Sequence, residues 1–538
     1  MDSKSPPSDP ANMALQAAAF QVSPAIELQP ISAPRPVGAA KTFHPDDVTP
    51  AASGLLANES TQPPSRDPAP PGPVPDTTKL QISKAKGITV IVTLAGMSFL
   101  NTMGSGILTA ALPRISRDVG LSEALILWPA AVYALAAGCL LLIFGAIADV
   151  VGPKQMWVTG SFLFIVFTVA VGLAQTGLQL ILFRTMLGVA ISICLPTAPL
   201  GYALGLVLGG IFTDTIGWRW AYHMMAGINL CLSLASIWSL PSVRQASEKR
   251  WTRRLVKDLD WVGALIMSVA LGGLLLYVLA MTSSSYRMLS DAPNIALLSI
   301  SVFLLASFPA WMAFQTRNGG PALLPNRLWR NAAFTSVCLS VFFCWAALNG
   351  VQYFTTLYFQ EVQGTSAMTS SLQFLPHVVA GVLTNIATAY LISRVKVQTL
   401  AVVSGIITVA APVLMATVPI DSYYWHAPFW ALVLSPINPD VFFTVSNLVI
   451  SDAFPADLQS LAGGVFNEVA QFGNSVGLAA TAAIAASVSE HSGIENREER
   501  LMAGYRAAFW TMFAGTVAVV IIVKLGLRKG GTVGKKDV

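Results

Sequence analysis

Charge is scarce in this sequence. Of 538 residues, 11% are charged and 54% are hydrophobic. A soluble domain carries about a quarter charged residues and ~45–50% apolar ones. That scarcity excludes an ordinary water-soluble enzyme, and no H-E-x-x-H, G-x-S-x-G or phosphate-loop motif is present to argue otherwise. The net charge of +5 is spread thinly. With no basic face to concentrate it, a nucleic-acid partner is excluded as well. Cysteine is also rare. The five cysteines, Cys139, Cys194, Cys231, Cys338 and Cys344, lie in apolar runs and read as packing residues rather than a disulfide framework. No ligand cluster for a metal stands out, and no metal or organic cofactor is expected. An apolar stretch near Met1 is missing, so no cleavable signal peptide is expected.

What the chain has is long apolar runs. Residues 1–78 stand apart: they hold 16 of the 33 prolines and only two aromatics, Phe20 and Phe43. Such a segment cannot bury enough apolar surface to offset its ordering entropy, so it is expected to be a disordered tail. Its one glycosylation sequon, at Asn58, matters only if the tail leaves the cytosol. Beyond it, apolar stretches alternate with short polar links at 88–112, 124–148, 156–174, 178–195, 200–217, 221–240, 261–281, 293–313, 332–356, 371–392, 397–418, 427–449, 460–487 and 504–525. A helix of ~17–25 residues crosses the ~30 Å hydrocarbon core. The backbone there must bond within itself, so these fourteen runs are expected to be helices of a polytopic membrane protein.

Lys and Arg in the links set the orientation. With the N-terminus inside, the cytosolic links hold 20 of these residues and the outer links 7. Both termini are therefore expected in the cytosol. The division expected is a tail at 1–78, six helices at 79–240, a basic linker with two extra helices at 241–331, six helices at 332–527 and a tail at 528–538.

Several polar residues inside or beside the apolar runs need a reason. The link after the second run carries Gly145, Asp149, Gly152 and Lys154 in the order G-x-x-x-D-x-x-G-x-K. An Asp at a membrane edge can pair with a cation or a helix N-terminus. Arg184 has no basic neighbour in sequence. A cation inside a membrane faces a cavity or a partner, or else snorkels to the interface. Gly201, Gly205, Gly209 and Gly210 put small residues on one helix face, which lets two helices approach closely. Trp218-Arg219-Trp220 suits an interfacial aromatic anchor. In the second half, Asn438, Asp440 and Asn447 share one run. Asn467, Gln471 and Asn474 form a stripe at spacings of four and three, with Glu468 beside it. A carboxyl buried there can bind and release protons or act as polar glue between helices. His377 is a further protonatable candidate.

These motifs resemble the major facilitator superfamily, and the count of fourteen resembles its fungal drug:proton antiporters. The Asp149 link resembles the superfamily's G-x-x-x-D-R-x-G-x-R/K motif, with Val150 in place of the Arg. The glycine stripe resembles the antiporter motif, with Leu206 in place of its proline. The end of the first run, from Gly104 to Pro113, has Gly104 where those antiporters have an Asp.

The resemblance implies an all-α fold of two six-helix bundles with two extra helices between them. It implies a substrate site between the bundles, alternating access and proton-driven export of small organic molecules. Arg184, Asp440 and Glu468 would then couple to protons, the Asp149 link would act as a gate, and Asn438, Asn467, Gln471 and Asn474 would line the cavity. The partners implied are a small organic substrate, protons and the lipid bilayer, for a monomer in the plasma membrane with no cofactor beyond the proton gradient. Nutrient uptake or uniport remains an alternative. So does a non-transporting sensor or a defective transporter, because Cys194 to Leu200 joins the fourth and fifth runs directly, where relatives have a basic loop. A tight hairpin at Pro196–Pro199 is expected there. The other possibility, a single broken span, would reverse every later helix and place the downstream basic links outside.

Overall fold

The computed structural model describes residues 84–121, 125–194, 200–240, 255, 259–280, 292–321 and 323–527. The expected tails at 1–78 and 528–538, nearly all of the basic link and the turn at Pro196–Pro199 lie outside the described residues. So does the Asp149 side chain.

Each of the fourteen apolar runs holds a helix. The first bundle consists of α1 (Lys84–Asp118), α2 (Trp128–Val151), α3 (Pro153–Leu173), α4 (Gly177–Cys194), α5 (Leu200–Asp214) and α6 (Trp218–Ser239). An antiparallel pair follows, α7 (Trp261–Ala280) and α8 (Ala292–Arg317). The second bundle begins with α9 (Ala332–Leu357), which runs on through a π turn at Tyr358–Val362. Two of its runs are broken into helix pairs: α10 (Ala367–Gln373) with α11 (Leu375–Leu391), and α13 (Pro428–Leu434) with α14 (Ile437–Ala453). Pro376 and Pro436 sit at these breaks, where a residue without an N–H cannot continue the ladder. The remaining helices are α12 (Val397–Thr417), α15 (Ala456–His491) and α16 (Arg497–Gly526). Among the described residues, 11 helical segments are long and apolar enough to cross a membrane.

Helices α1 to α6 pack on one another, as do α9 to α16, and the two bundles meet along two seams. At one seam α5 lies against α10 and α11; at the other α15 lies against α2. The pair α7–α8 covers the second seam, with α7 touching both α2 and α15. Ser268 of α7 donates to the Cys139 carbonyl of α2 at 2.9 Å. Asp260 accepts from the Trp311 indole, which ties α7 to α8.

The bundles close on each other at the end where α1, α5 and α9 finish. There Gln360 donates to the Ala110 carbonyl (3.1 Å), the Met368 N–H to Asp214 (2.6 Å) and Ser371 to the Leu206 carbonyl (2.7 Å). One apolar cluster runs across this end, from Ile107 and Leu112 of α1 to Phe354 and Phe359 of the second bundle.

Three sequence features have specific structural roles. Gly152 takes φ 116°, a conformation that favours glycine, and turns the chain from α2 into α3. Lys154 then reaches the end of α6 in its own bundle and donates to the carbonyls of Ile237 (2.8 Å) and Leu240 (2.7 Å). A cation there satisfies carbonyls that a helix end leaves free.

Trp218-Arg219-Trp220 is an anchor in part only. Trp220 is exposed, whereas Trp218 is buried and donates to Asp118 at the end of α1 (3.1 Å). Arg219 stacks on Trp218 and donates to the Ala174 carbonyl, so the triplet clamps α6 to α1 and α3. Of the five cysteines, four are buried and Cys231 is exposed on the outer face of α6. The packing role expected of all five therefore fails at Cys231.

Candidate functional site

A cavity of about 130 Å³ lies between the bundles, behind the closed end. Each bundle supplies one polar wall.

On the first wall, Asn101, Ser105 and Thr109 of α1 recur every four residues and share a face. Tyr133 of α2 donates to Asn101. Tyr202 of α5 donates to Thr109 at 3.0 Å. Arg184 of α4 also lines the cavity, although only 1% of its surface is exposed. Its guanidinium sits over the Tyr133 ring at 4.4 Å, and its Nε donates to the Pro129 carbonyl at 3.2 Å. A cation–π contact of this kind stabilises a charge that lacks an ionic partner. Arg184 thus faces a cavity and does not snorkel to the interface.

On the second wall, Trp345, Asn349 and Gln352 of α9 fall on one face. Asn349 donates to Asn474 of α15, and Asn474 donates to Gln471 (3.4 Å). His377 of α11 is held at both ring nitrogens, Nε2 by Gln352 and Nδ1 by Ser435, each at 2.9 Å. With the Gln352 amide donating to Nε2, the Nδ1–H donates to Ser435, whose own hydroxyl donates to the Leu432 carbonyl. Asp440 completes the wall from the first turn of α14. The break at Pro436 starts a new helix there, and Asp440 sits in its first turn.

Three sequence expectations fall elsewhere. Asn438 lies two residues before Asp440, so a helix turns it to the opposite side. There its backbone N–H donates to the Thr408 hydroxyl, its side-chain oxygen accepts from the Cys344 thiol and its amide donates to Ser404 (3.3 Å), inside the second bundle. Asn467 shares the face of Gln471 but sits one turn nearer the start of α15, beyond the cavity, where it donates to the Gly463 carbonyl. Glu468 lies two turns before Ser475, on the face that meets α2, where Ser475 donates to the Ala131 carbonyl (3.1 Å). Glu468 is 2% exposed, and among the described residues its Oε1 has no hydrogen-bond partner.

The wall residues Asn101, Tyr133, Tyr202, Asn349 and Gln352 were not singled out from the sequence. The spacing of Asn101, Ser105 and Thr109 carried a usable signal. The two tyrosines carried none, since an aromatic in an apolar run reads as core.

The family model for the Major Facilitator Superfamily matches residues 94–199 and 197–478. The two matches adjoin at the link between α4 and α5. The chain is 44% identical over 526 residues to "MFS-type transporter 1" of Pyricularia oryzae, covering 84% of this chain and 85% of that one. It is 22% identical over 473 residues to "Efflux pump terJ" of Aspergillus terreus, covering 81% and 87%. Among solved structures, a bacterial homologue of the human lysosomal transporter Spinster, inward-facing and unoccupied, aligns with a TM-score of 0.53. It is 14% identical and covers 83% of this chain and 98% of that one. The fold and these relatives mark a membrane transporter rather than an enzyme, and the chain belongs to the Major Facilitator Superfamily.

Proposed function

We propose that this protein exports small organic molecules in exchange for protons, by alternating access, as a member of the fourteen-helix drug:proton antiporters. The observation that carries this reading is the cavity at the meeting of the two bundles, walled by Arg184 from one and Asp440 from the other. An ionisable residue inside a membrane bundle marks a substrate or proton path. Resemblance to an efflux pump supports the outward direction. Asp440 exchanges its proton within the cavity, Arg184 biases that exchange from the facing bundle, and Glu468 titrates as α2 and α15 slide past one another. Gly145, Asp149, Gly152 and Lys154 steady one end state. Gly201, Gly205, Gly209 and Gly210 keep α5 close to its neighbours during the motion. The excess of Lys and Arg in one set of links supports cytosolic termini, and with them a closed end that faces outward. The protein works as a plasma-membrane monomer with the proton gradient as its energy source.

The test is flux in liposomes containing the purified full chain. A panel of organic compounds is followed under an imposed pH gradient. Accumulation driven by the gradient and abolished by a protonophore is expected. Flux indifferent to the gradient would replace antiport with uniport. A second reading, a chain impaired in transport, draws on the 15 described residues of α5 and on the family match that falls into two parts overlapping at 197–199. Replacing residues 195–199 by the matching segment of the Pyricularia relative would then turn silent liposomes into active ones.

A further inference from the structure

We infer that the cavity takes a small amphoteric molecule, with an anionic group held at Arg184 and a cationic group at Asp440. The inference rests on the transport reading and specifies its substrate class.

The argument starts from two buried charges that do not pair. Among the described residues, Arg184 has no carboxylate within 4 Å. Its Nε and its ring face are engaged, by Pro129 and Tyr133. Among the described residues neither Nη atom has a partner, which leaves their four N–H bonds to the cavity that Arg184 lines. A guanidinium presents those donors as a fork that matches a carboxylate. Asp440 is 7% exposed and likewise has no Lys, Arg or His nitrogen within 4 Å among the described residues. His377 does not serve as its counter-charge, since both of its ring nitrogens are already held. The Asn385 amide lies beside the Asp440 carboxyl and compensates it only as a dipole.

A buried charge without a partner is costly, and this cavity has a cationic side chain on one wall and, whenever Asp440 releases its proton, an anionic one on the other. One ligand carrying both signs neutralises both. It also bridges α4 of the first bundle and α14 of the second, so binding couples directly to the motion of the bundles. Size fits the same class. At ~10–15 Å³ for each water, a cavity of about 130 Å³ has room for roughly ten waters, the scale of an amino acid. Leu108, Leu348 and Trp345 add apolar lining between the polar groups.

Binding to the purified full chain tests the inference. The probes are the twenty protein amino acids and glycine betaine, measured by calorimetry and thermal shift. For each amino acid that binds, the carboxamide removes the anion and the N-acetyl derivative removes the cation. The expected result is at least one zwitterion that binds at least ten-fold more tightly than either derivative. Arg184→Gln should weaken the zwitterion and the N-acetyl form about ten-fold and leave the carboxamide unchanged. Asp440→Asn should do the reverse, weakening the zwitterion and the carboxamide. A variant that merely misfolds would weaken all three forms alike, and size-exclusion profiles identify it. The proposal is overturned if no probe binds, or if a singly charged derivative binds as well as its parent. The two levels separate cleanly. Gradient-driven flux of a neutral or singly charged compound without zwitterion binding keeps export and removes the amphoteric site. Zwitterion binding without gradient-driven flux keeps the site and removes antiport.

Discussion

Helices α5 and α15 hold equivalent places in the two bundles. Each lies along the first helix of its own bundle and crosses to the second span of the other. Each makes its intimate contact through glycine. A Cβ on Gly205 would sit 2.8 Å from the Met103 Cα of α1, and one on Gly473 would sit 2.9 Å from the Phe342 Cα of α9. Their lengths differ sharply: α15 has 36 residues and α5 has 15. The register of Gly201, Gly205 and Gly209 places the start of α5 opposite Ser98 of α1. At 1.5 Å per residue, about 20 Å of α1, from Lys84 to Met97, therefore has no described residue of α5 beside it. Ile88 (60% exposed) and Val92 (54% exposed) lie on that stretch. The α15 seam is long and roofed by α7, whereas the α5 seam is confined to the closed end. The first bundle thus holds its partner by a short latch and the second by a long rail.

The largest expected effect tests that contrast. Gly205→Leu should remove nearly all monodisperse protein, since the side chain meets backbone that cannot yield. Gly473→Leu should be milder, because α15 keeps the rest of its 36-residue contact. Overpacking costs about 1–3 kcal/mol in a close-packed site, and a short helix has less to lose. Detergent size-exclusion profiles decide it; the opposite order would mean that α5 is no latch.

Next in size are Arg184→Ala and Glu468→Gln. Each should abolish gradient-driven flux while leaving membrane insertion intact, one acting from the cavity wall and the other from the α2 seam. Wild-type flux in both would leave these residues structural. A smaller effect is expected from lengthening α5 at its Leu200 end with the relative's segment. Extra contact with α1 should raise the melting temperature by roughly 1 °C for each kcal/mol gained, and a fall would argue that the latch is complete as it stands. The smallest effect concerns neither seam. Deleting residues 2–75 should leave yield unchanged, and Asn58 should carry no glycan when the mass is compared before and after glycosidase treatment.

The helices and the two charged cavity residues were legible because membrane burial imposes one rule on both. Apolar runs of spanning length must be helical, and a charge within them must have a purpose. Arg184 and Asp440 stand out against such a background. The rest was hidden by rotation and depth. Asn438 and Asp440 are two positions apart yet face opposite ways. Asn467 and Gln471 face the same way, and only Gln471 reaches the cavity. A sequence stripe gives the angle around a helix but not where along its length a cavity ends. The role of Lys154 was hidden for another reason: its partners, Ile237 and Leu240, are backbone carbonyls brought near by the fold.

The central claim is that the cavity opens to one side of the membrane at a time. Ser105→Cys on the cavity wall, in a Cys231→Ser background that removes the exposed thiol, reports this directly through a membrane-impermeant maleimide applied to either face of sealed vesicles. With equal pH on both sides, labelling is expected from the cytosolic face alone, since the proposed orientation turns the closed end outward. An acidic exterior should then add labelling from the outside at the expense of the inside. Labelling from both faces at once, or from the outside alone at equal pH, would contradict the account.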